Sequence, residues 1–536
     1  MKFITVAAVI LSLAILLTGC SKNDGRGYIF KYDIDDNPRT LDPQTATSPE
    51  AMLIIANMFE GLLRLDEDGG IIPGAAGEYN VSDDGLTYTF YLRDDVYWSA
   101  EKEADGKTPR KCTAEDFMFA FRRLFSPTVK SANSEAFFCI KNGEKAAKGM
   151  VGTEKVGVTA VDEFTLRFEL EYPYTNFPVL LTTTPAMPCS ESFYTAAKGR
   201  YGLTEKTVQS NGAFVLHTWN YDKYSPGQNF LILKRSAVSD RESDPVCPSG
   251  LNFFIDEIDS VKNFTDGSSD CIVVSGREAD MLKKKGYPFM ENENAVWGFQ
   301  LNRAAVFSSQ NLRLAVAYST DRADMDTGGG NDDGYRVTKS LIPDSVRVGG
   351  EFYRDMADSA DYIDFDSGKA AEYAKAYSDE RASGGDLMMT LIMPDDPVIR
   401  EIVPRVCQRW QKDLGLYCTI SVMSDRDFDA ALSKGDYDIA AVRYDAGWNS
   451  PSSILRQFDD MVKSEKYSDL LQKAERAETG AKSAEYYAVA EKTALESAVF
   501  IPVCFQTEYF FYDKKSSDIR YNPFTKAILF RAAKRS

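Results

Sequence analysis

The sequence predicts an α/β protein of two lobes with mixed sheets. Three observations carry this expectation. The chain has 536 residues, and the roughly 510 behind its apolar N-terminus exceed what one hydrophobic core organises. Strand-like alternation and helix-like spacing follow one another through both halves. A strand pattern also restarts near the middle, at Val296-Trp-Gly-Phe-Gln-Leu-Asn302, after a long first set of elements. At 44% hydrophobic and 12% aromatic residues the chain has ample apolar surface to bury.

Taken in order, Tyr28 to Ile34 alternates as a strand, and D-D-N-P-R-T-L-D-P turns the chain. From Pro49 to Arg64, apolar Met52, Ile55, Ala56, Phe59, Leu62 and Leu63 recur at helical spacing. Asp84-Gly85 marks a turn, after which Leu86, Tyr88, Phe90 and Leu92 alternate. Thr113 reads as an N-cap, with Asp116 three residues on as a capping-box variant. Phe117, Ala120, Phe121 and Leu124 then line one helix face. Val156 to Asp162 and Phe164 to Leu170 pair as a hairpin, and Ser210 to Trp219 opens a strand behind a glycine turn. In the second half, Asn311 to Ser319 is a helix. The stretch Asp326 to Gly334 (DTGGGNDDG) lacks the spacing of a calcium hand and reads as a solvated loop. Leu387 to Met393 is a strand, Val398 to Leu414 an amphipathic helix with Gly415 as its C-cap, and Tyr417 to Met423 a strand. That β-α-β unit calls for a parallel pair joined by a right-handed crossover. Asp436 to Tyr444 and Ala498 to Phe505 are the last strands, and no internal repeat occurs.

Composition excludes several functions. A formal charge of −18 argues against nucleic acid or an anionic lipid face as a partner. Only one histidine is present, His217 in the alternating F-V-L-H-T-W. A Ser-His-Asp hydrolase or a zinc centre would have to be built around it alone, so neither an enzyme nor a cofactor or metal is expected. No C-x-x-C occurs among the nine cysteines. Cys139, Cys271 and Cys504 stand where core aliphatics would, and buried free thiols are the default reading, although an exported chain also permits disulfides.

Lys2 supplies a short basic region, Phe3 to Leu17 is an almost unbroken apolar run, and Leu17-Thr18-Gly19-Cys20 closes it. Fifteen residues fall short of the ~20 that span a bilayer, and no later run reaches that length. L-T-G-C resembles the bacterial lipobox, whose cysteine is lipidated and becomes the mature N-terminus. Residues 1–19 are then a signal peptide and 20–27 a flexible tether, which places the protein on the extracytoplasmic face of a membrane. A plain secretory signal with a chance cysteine is the alternative.

From residue 28 onward the chain resembles the family 5 extracellular solute-binding proteins, the oligopeptide- and dipeptide-binding lipoproteins of ABC importers. The resemblance rests on L-D-P (41–43), M-F-E-G-L (58–62), and the run from Pro73 to Ser99 followed by T-A-E-D-F (113–117). It continues in S-N-G-A-F (210–214), Asn311-Leu-Arg313 with D-R (321–322), L-G-L (414–416) and G-D-Y-D-I (435–439). It implies a type II periplasmic-binding-protein-like flytrap with an extra inserted domain. The implied division is 25–60, 186–290 and 508–536 for one main domain, 61–185 for the insertion and 291–507 for the second lobe. The implied partners are a peptide or other small solute and ABC permease subunits, the receptor itself being a monomer.

The family's peptide binders place a carboxylate for the peptide's α-ammonium after the G-D-Y-D-I strand. Here the chain reads Tyr444-Asp445-Ala446-Gly447-Trp448-Asn449-Ser450-Pro451. Aligned on Pro451, the carboxylate position is Gly447; Asp445, two residues earlier, is the candidate substitute, the alternative being an exposed turn aspartate. Tyr444 and Trp448 are candidate cleft aromatics or core residues. Asn211, in S-N-G-A-F, is a further candidate ligand contact. An insertion, AEKEADGKTPRK, interrupts the family pattern after Ser99 and is expected on the surface of the smaller domain. Same-family receptors for oligosaccharides, or a peptide sensor without a transporter, remain the competing functions.

Overall fold

The computed structural model describes residues 27–66, 70–174, 176–225, 227–241, 244–255, 259–325, 334–357, 362–380 and 387–536. Cys20, the apolar segment before it and residues 326–333 of the Gly/Asp loop lie outside the described residues. The chain opens with strand β1 (Ile29–Ile34) and helix α1 (Pro49–Met58). The Ser48 hydroxyl accepts the Ala51 N–H at 3.2 Å, and Pro49 fixes the first turn. The helix stops six residues before the predicted Arg64. Phe59 is extended, and Leu63–Leu65 pairs with Ile71–Pro73 instead. Leu62 and Leu63 are buried as their periodicity implies, but from a loop and a strand.

A four-stranded antiparallel sheet follows, of β2 (Ala76–Val81), β3 (Thr87–Leu92), β4 (Val158–Asp162) and β5 (Thr165–Glu169), in the order β2-β3-β5-β4. Helix α2 (Ala114–Leu124) packs on it. Asp116 accepts the Thr113 N–H at 2.9 Å as the capping box requires, and also the Trp98 indole at 3.0 Å. The insertion before Cys112 forms a two-stranded hairpin with an exposed tip. Strands β6 (Phe214–Asn220), β7 (Phe230–Arg235) and β8 (Gly250–Ile255) then complete a sheet of order β1-β8-β7-β6, with β1 parallel to β8. Phe90, Phe121 and Phe168 share one continuous apolar cluster with Phe30, Phe59, Phe253 and Phe530.

The rest is organised by a seven-stranded mixed sheet. Its elements are α3 (Ser260–Asp266), β9 (Cys271–Val274), α4 (Gly276–Lys284), β10 (Phe289–Leu301), α5 (Gln310–Ser319), β11 (Tyr335–Val337), β12 (Leu387–Pro394), α6 (Pro397–Leu414), β13 (Leu416–Met423), β14 (Ile439–Asp445), α7 (Glu465–Glu475), α8 (Gly480–Ser497) and β15 (Phe500–Tyr512). The strand order is β9-β15-β10-β14-β12-β13, with β11 on β15. β12 and β13 are parallel, as the β-α-β pattern predicts. Both faces are covered. Trp297, Phe299, Leu391 and Trp410 form one core and Val296, Phe458, Tyr487 and Phe500 the other. Burial of each such large side chain contributes about 1.5–3 kcal/mol. The two 13-residue strands β10 and β15 pair antiparallel along their length, with register shifts after Glu293 and Trp297. Phe510 of β15 belongs to the first apolar cluster and Phe505 to the core that also holds Phe458 and Phe500, so this ribbon runs from one to the other.

One buried carboxylate organises the core around α8. Glu491 is fully buried and accepts the Leu341 N–H at 2.8 Å, the Tyr353 hydroxyl at 3.0 Å and the Tyr362 hydroxyl at 2.7 Å. Arg354 also pairs with it. The eight cysteines among the described residues are free thiols, seven of them buried. Burial pushes the Cys189 thiol up to about 12, which keeps it neutral and unreactive.

Candidate functional site

The ladder of β14 ends at Asp445, opposite Ala295 of β10. Side chains alternate across a strand, so Ala440, Val442 and Tyr444 enter one core while Arg443 and Asp445 share the other face. Arg443 Nε donates to Asp445 Oδ2 at 3.0 Å. Lys526 Nζ stands 3.3 Å from Asp445 Oδ1 and 3.1 Å from Glu508 Oε1. Arg443 Nη1 lies 3.5 Å from that same Glu508 oxygen. Two carboxylates thus balance two cations drawn from the end of β14, the middle of β15 and the C-terminal stretch. The Asp445 side chain remains 33% exposed.

Tyr444 corrects the expectation of a ring offered to a ligand. Its ring packs 4.9 Å from Phe458 and 5.3 Å from Phe500, and its hydroxyl donates to Gln300 Oε1. Strand alternation is the physical reason. Ala446 is also turned inward: its methyl is buried in the core, and its N–H donates to the Asn294 carbonyl at 2.8 Å. Gly447 is exposed, and a side chain built there meets nothing within 4 Å. Trp448 borders a cavity of about 560 Å³. Phe138, Tyr172 and Tyr174 line it on the side of the small antiparallel sheet, and Arg456, Glu475 and Arg476 on the side of α7. The Trp448 indole donates to Ser452 Oγ at 3.2 Å. Beside it Asn176 Nδ2 donates to Ser450 Oγ at 2.9 Å, and the Arg476 guanidinium lies 4.3 Å from the Tyr172 ring centre.

Asn211 is a second correction. It is buried, accepts the Glu60 N–H at 3.0 Å through Oδ1 and donates to the Glu60 carbonyl at 2.8 Å. Both ends of its amide are used to clip two loops together. Gly212 permits this approach, since a Cβ there would sit 2.6 Å from the Met58 carbonyl oxygen. Sequence reasoning missed Arg443, Glu508 and Lys526. Only Arg443 carried a local signal, being two residues before Asp445 on one strand; the other two arrive from distant segments.

Residues 70–465 match the family described as bacterial extracellular solute-binding proteins, family 5 Middle. The chain belongs to that family. This family 5 solute-binding protein is 24% identical to the oligopeptide-binding protein OppA of Bacillus subtilis (strain 168), with 99% of this chain and 98% of that one aligned. It is also 24% identical to the probable deoxycholate-binding periplasmic protein YgiS of Escherichia coli (strain K12), over 89% of this chain and 88% of that one. The crystal structure of an oligopeptide ABC transporter substrate-binding domain from Bacillus anthracis str. Ames superposes with a TM-score of 0.76 at 24% identity, covering 96% of this chain and all of that one. The fold of this family 5 protein is therefore the type II periplasmic-binding fold, mixed α/β as expected. The family is one of solute binders.

Proposed function

We propose that this family 5 protein is a lipid-anchored extracytoplasmic receptor that captures a peptide between two lobes and hands it to an ABC permease. The observation that carries the reading is Asp445, a partly exposed carboxylate at the carboxyl end of β14, beside the open position of Gly447. In open α/β sheets ligands gather outside the carboxyl ends of strands. Lys526 Nζ marks where a cation meets this carboxylate, and a peptide's α-ammonium takes the same place on binding. The relative from Bacillus subtilis, named for oligopeptide binding and aligned over nearly the whole chain, supports the substrate class. An extended peptide is held by main-chain hydrogen bonds with roomy side-chain pockets, and closure follows from tighter binding to the closed state. The division into 25–60 with 186–290 and 508–536, the insertion 61–185, and the lobe 291–507 belongs to the same proposal.

Titration calorimetry tests the ligand. Asp445→Asn is expected to weaken binding of free-amine peptides by about 2–5 kcal/mol, the usual loss when one partner is removed from a charge pair that becomes buried on binding. N-acetylated peptides should bind both proteins alike, and scattering during the titration should show compaction. Equal binding of free peptides by both proteins would remove Asp445 from the site. Failure of the native protein to bind any peptide would overturn the substrate class. The anchor has its own test: Cys20→Ser should be released from membranes or stay unprocessed, and membrane retention at mature size would refute lipidation at Cys20.

A further inference from the structure

A second cavity, of about 500 Å³, opens where β1, α1, α3, β9 and α4 meet the β15 ribbon. Six carboxylate residues line it, Asp33, Asp35, Glu50, Asp259, Glu278 and Glu508, against the single ammonium of Lys526. The side chains of Asp35, Glu50 and Glu278 make no ion pair or hydrogen bond among the described residues. Two buried polar atoms on its wall also lack a partner: Glu508 Oε2 and the Tyr521 hydroxyl, in residues 8% and 4% exposed. A buried carboxylate oxygen without a donor is costly, and a cation carrying several N–H groups answers it. No cluster of three or more His, Cys, Asp or Glu among the described residues is placed to hold a metal, so the carboxylates suit an extended organic cation. Lys526, on the cavity wall, touches both Glu508 and Asp445, which puts the two candidate cation positions side by side.

We infer that this acidic cavity is the subsite for a basic side chain of the captured peptide, lysine or arginine, selecting cationic peptides over neutral ones. The inference rests on the peptide-receptor reading and adds its selectivity. Tyr32 and Tyr521 line the cavity with Leu53, giving an alkyl stem an apolar wall ahead of the charged tip.

The test is calorimetry of the full chain with pentaalanine carrying one lysine, or one norleucine, at each position in turn. At one position lysine should bind at least about tenfold tighter than norleucine, and the gap should narrow with added salt. The combined variant Asp35→Asn, Glu50→Gln, Glu278→Gln removes exposed or half-buried charges outside the Asp445 cluster. It should abolish that preference while leaving pentaalanine affinity unchanged, and Glu278→Gln alone should reduce it. If lysine and norleucine peptides bind equally at every position, the inference fails while the peptide reading stands. If no peptide binds at all, both fall. A lysine preference that survives the combined variant also overturns the assignment to this cavity.

Discussion

Glu491→Ala should lower the unfolding free energy by about 3–5 kcal/mol, the loss expected when one partner of a buried ion pair is removed. Glu491 is fully buried. Its removal leaves the Arg354 guanidinium, whose side chain is only 13% exposed, without its carboxylate. The hydroxyls of Tyr353 and Tyr362 and the N–H groups of Leu341 and Ile342 lose their acceptor together. Glu491→Gln keeps one acceptor oxygen and a similar volume, so its cost should be smaller than that of alanine. Guanidinium unfolding gives the comparison through midpoints at constant slope. A loss below about 1 kcal/mol for alanine would mean that the network is not holding α8.

Asn211→Ala should cost about 2–4 kcal/mol, because it strips the Glu60 N–H and carbonyl of their partners inside the first core; each such orphan costs ~1–3 kcal/mol. Peptide affinity, measured below the lowered unfolding transition, should stay at the native value. The reverse pattern, normal stability with lost binding, would return Asn211 to the ligand. The two readouts separate a clip from a contact.

Most elements were legible because each carries its own period. Phe30 and Ile34, Tyr88 and Phe90, and Phe117 and Phe121 fall inside as alternation or helical spacing requires. The end of α1 was not legible, since Leu62 and Leu63 continue a helical apolar pattern that tertiary pairing of Leu63–Leu65 overrides. At the site, Asp445 was legible only through the family resemblance, as the carboxylate two residues before the Gly447 position. The burial of Tyr444 did not, for a reason specific to this sheet: with cores on both faces, an apolar strand gives no sign of which face is open. Asn211 misled because a polar residue before glycine looks like a turn, and its partner lies 151 positions away. Glu508 and Lys526 could be joined to Asp445 only by the fold.

The paired strands β10 and β15 have a mechanical consequence. A hydrogen-bonded ribbon resists stretching and shear but yields to torsion, most readily where its ladder slips register, after Glu293 and Trp297. Glu508 pairs with Asn292, one pair away from the first slip. In the proposed receptor, a ligand cation that displaces Lys526 therefore acts one pair from the most compliant part of the torsion bar joining the two cores. In that receptor recognition and motion share one strand, and a single charge exchange reads out as twist.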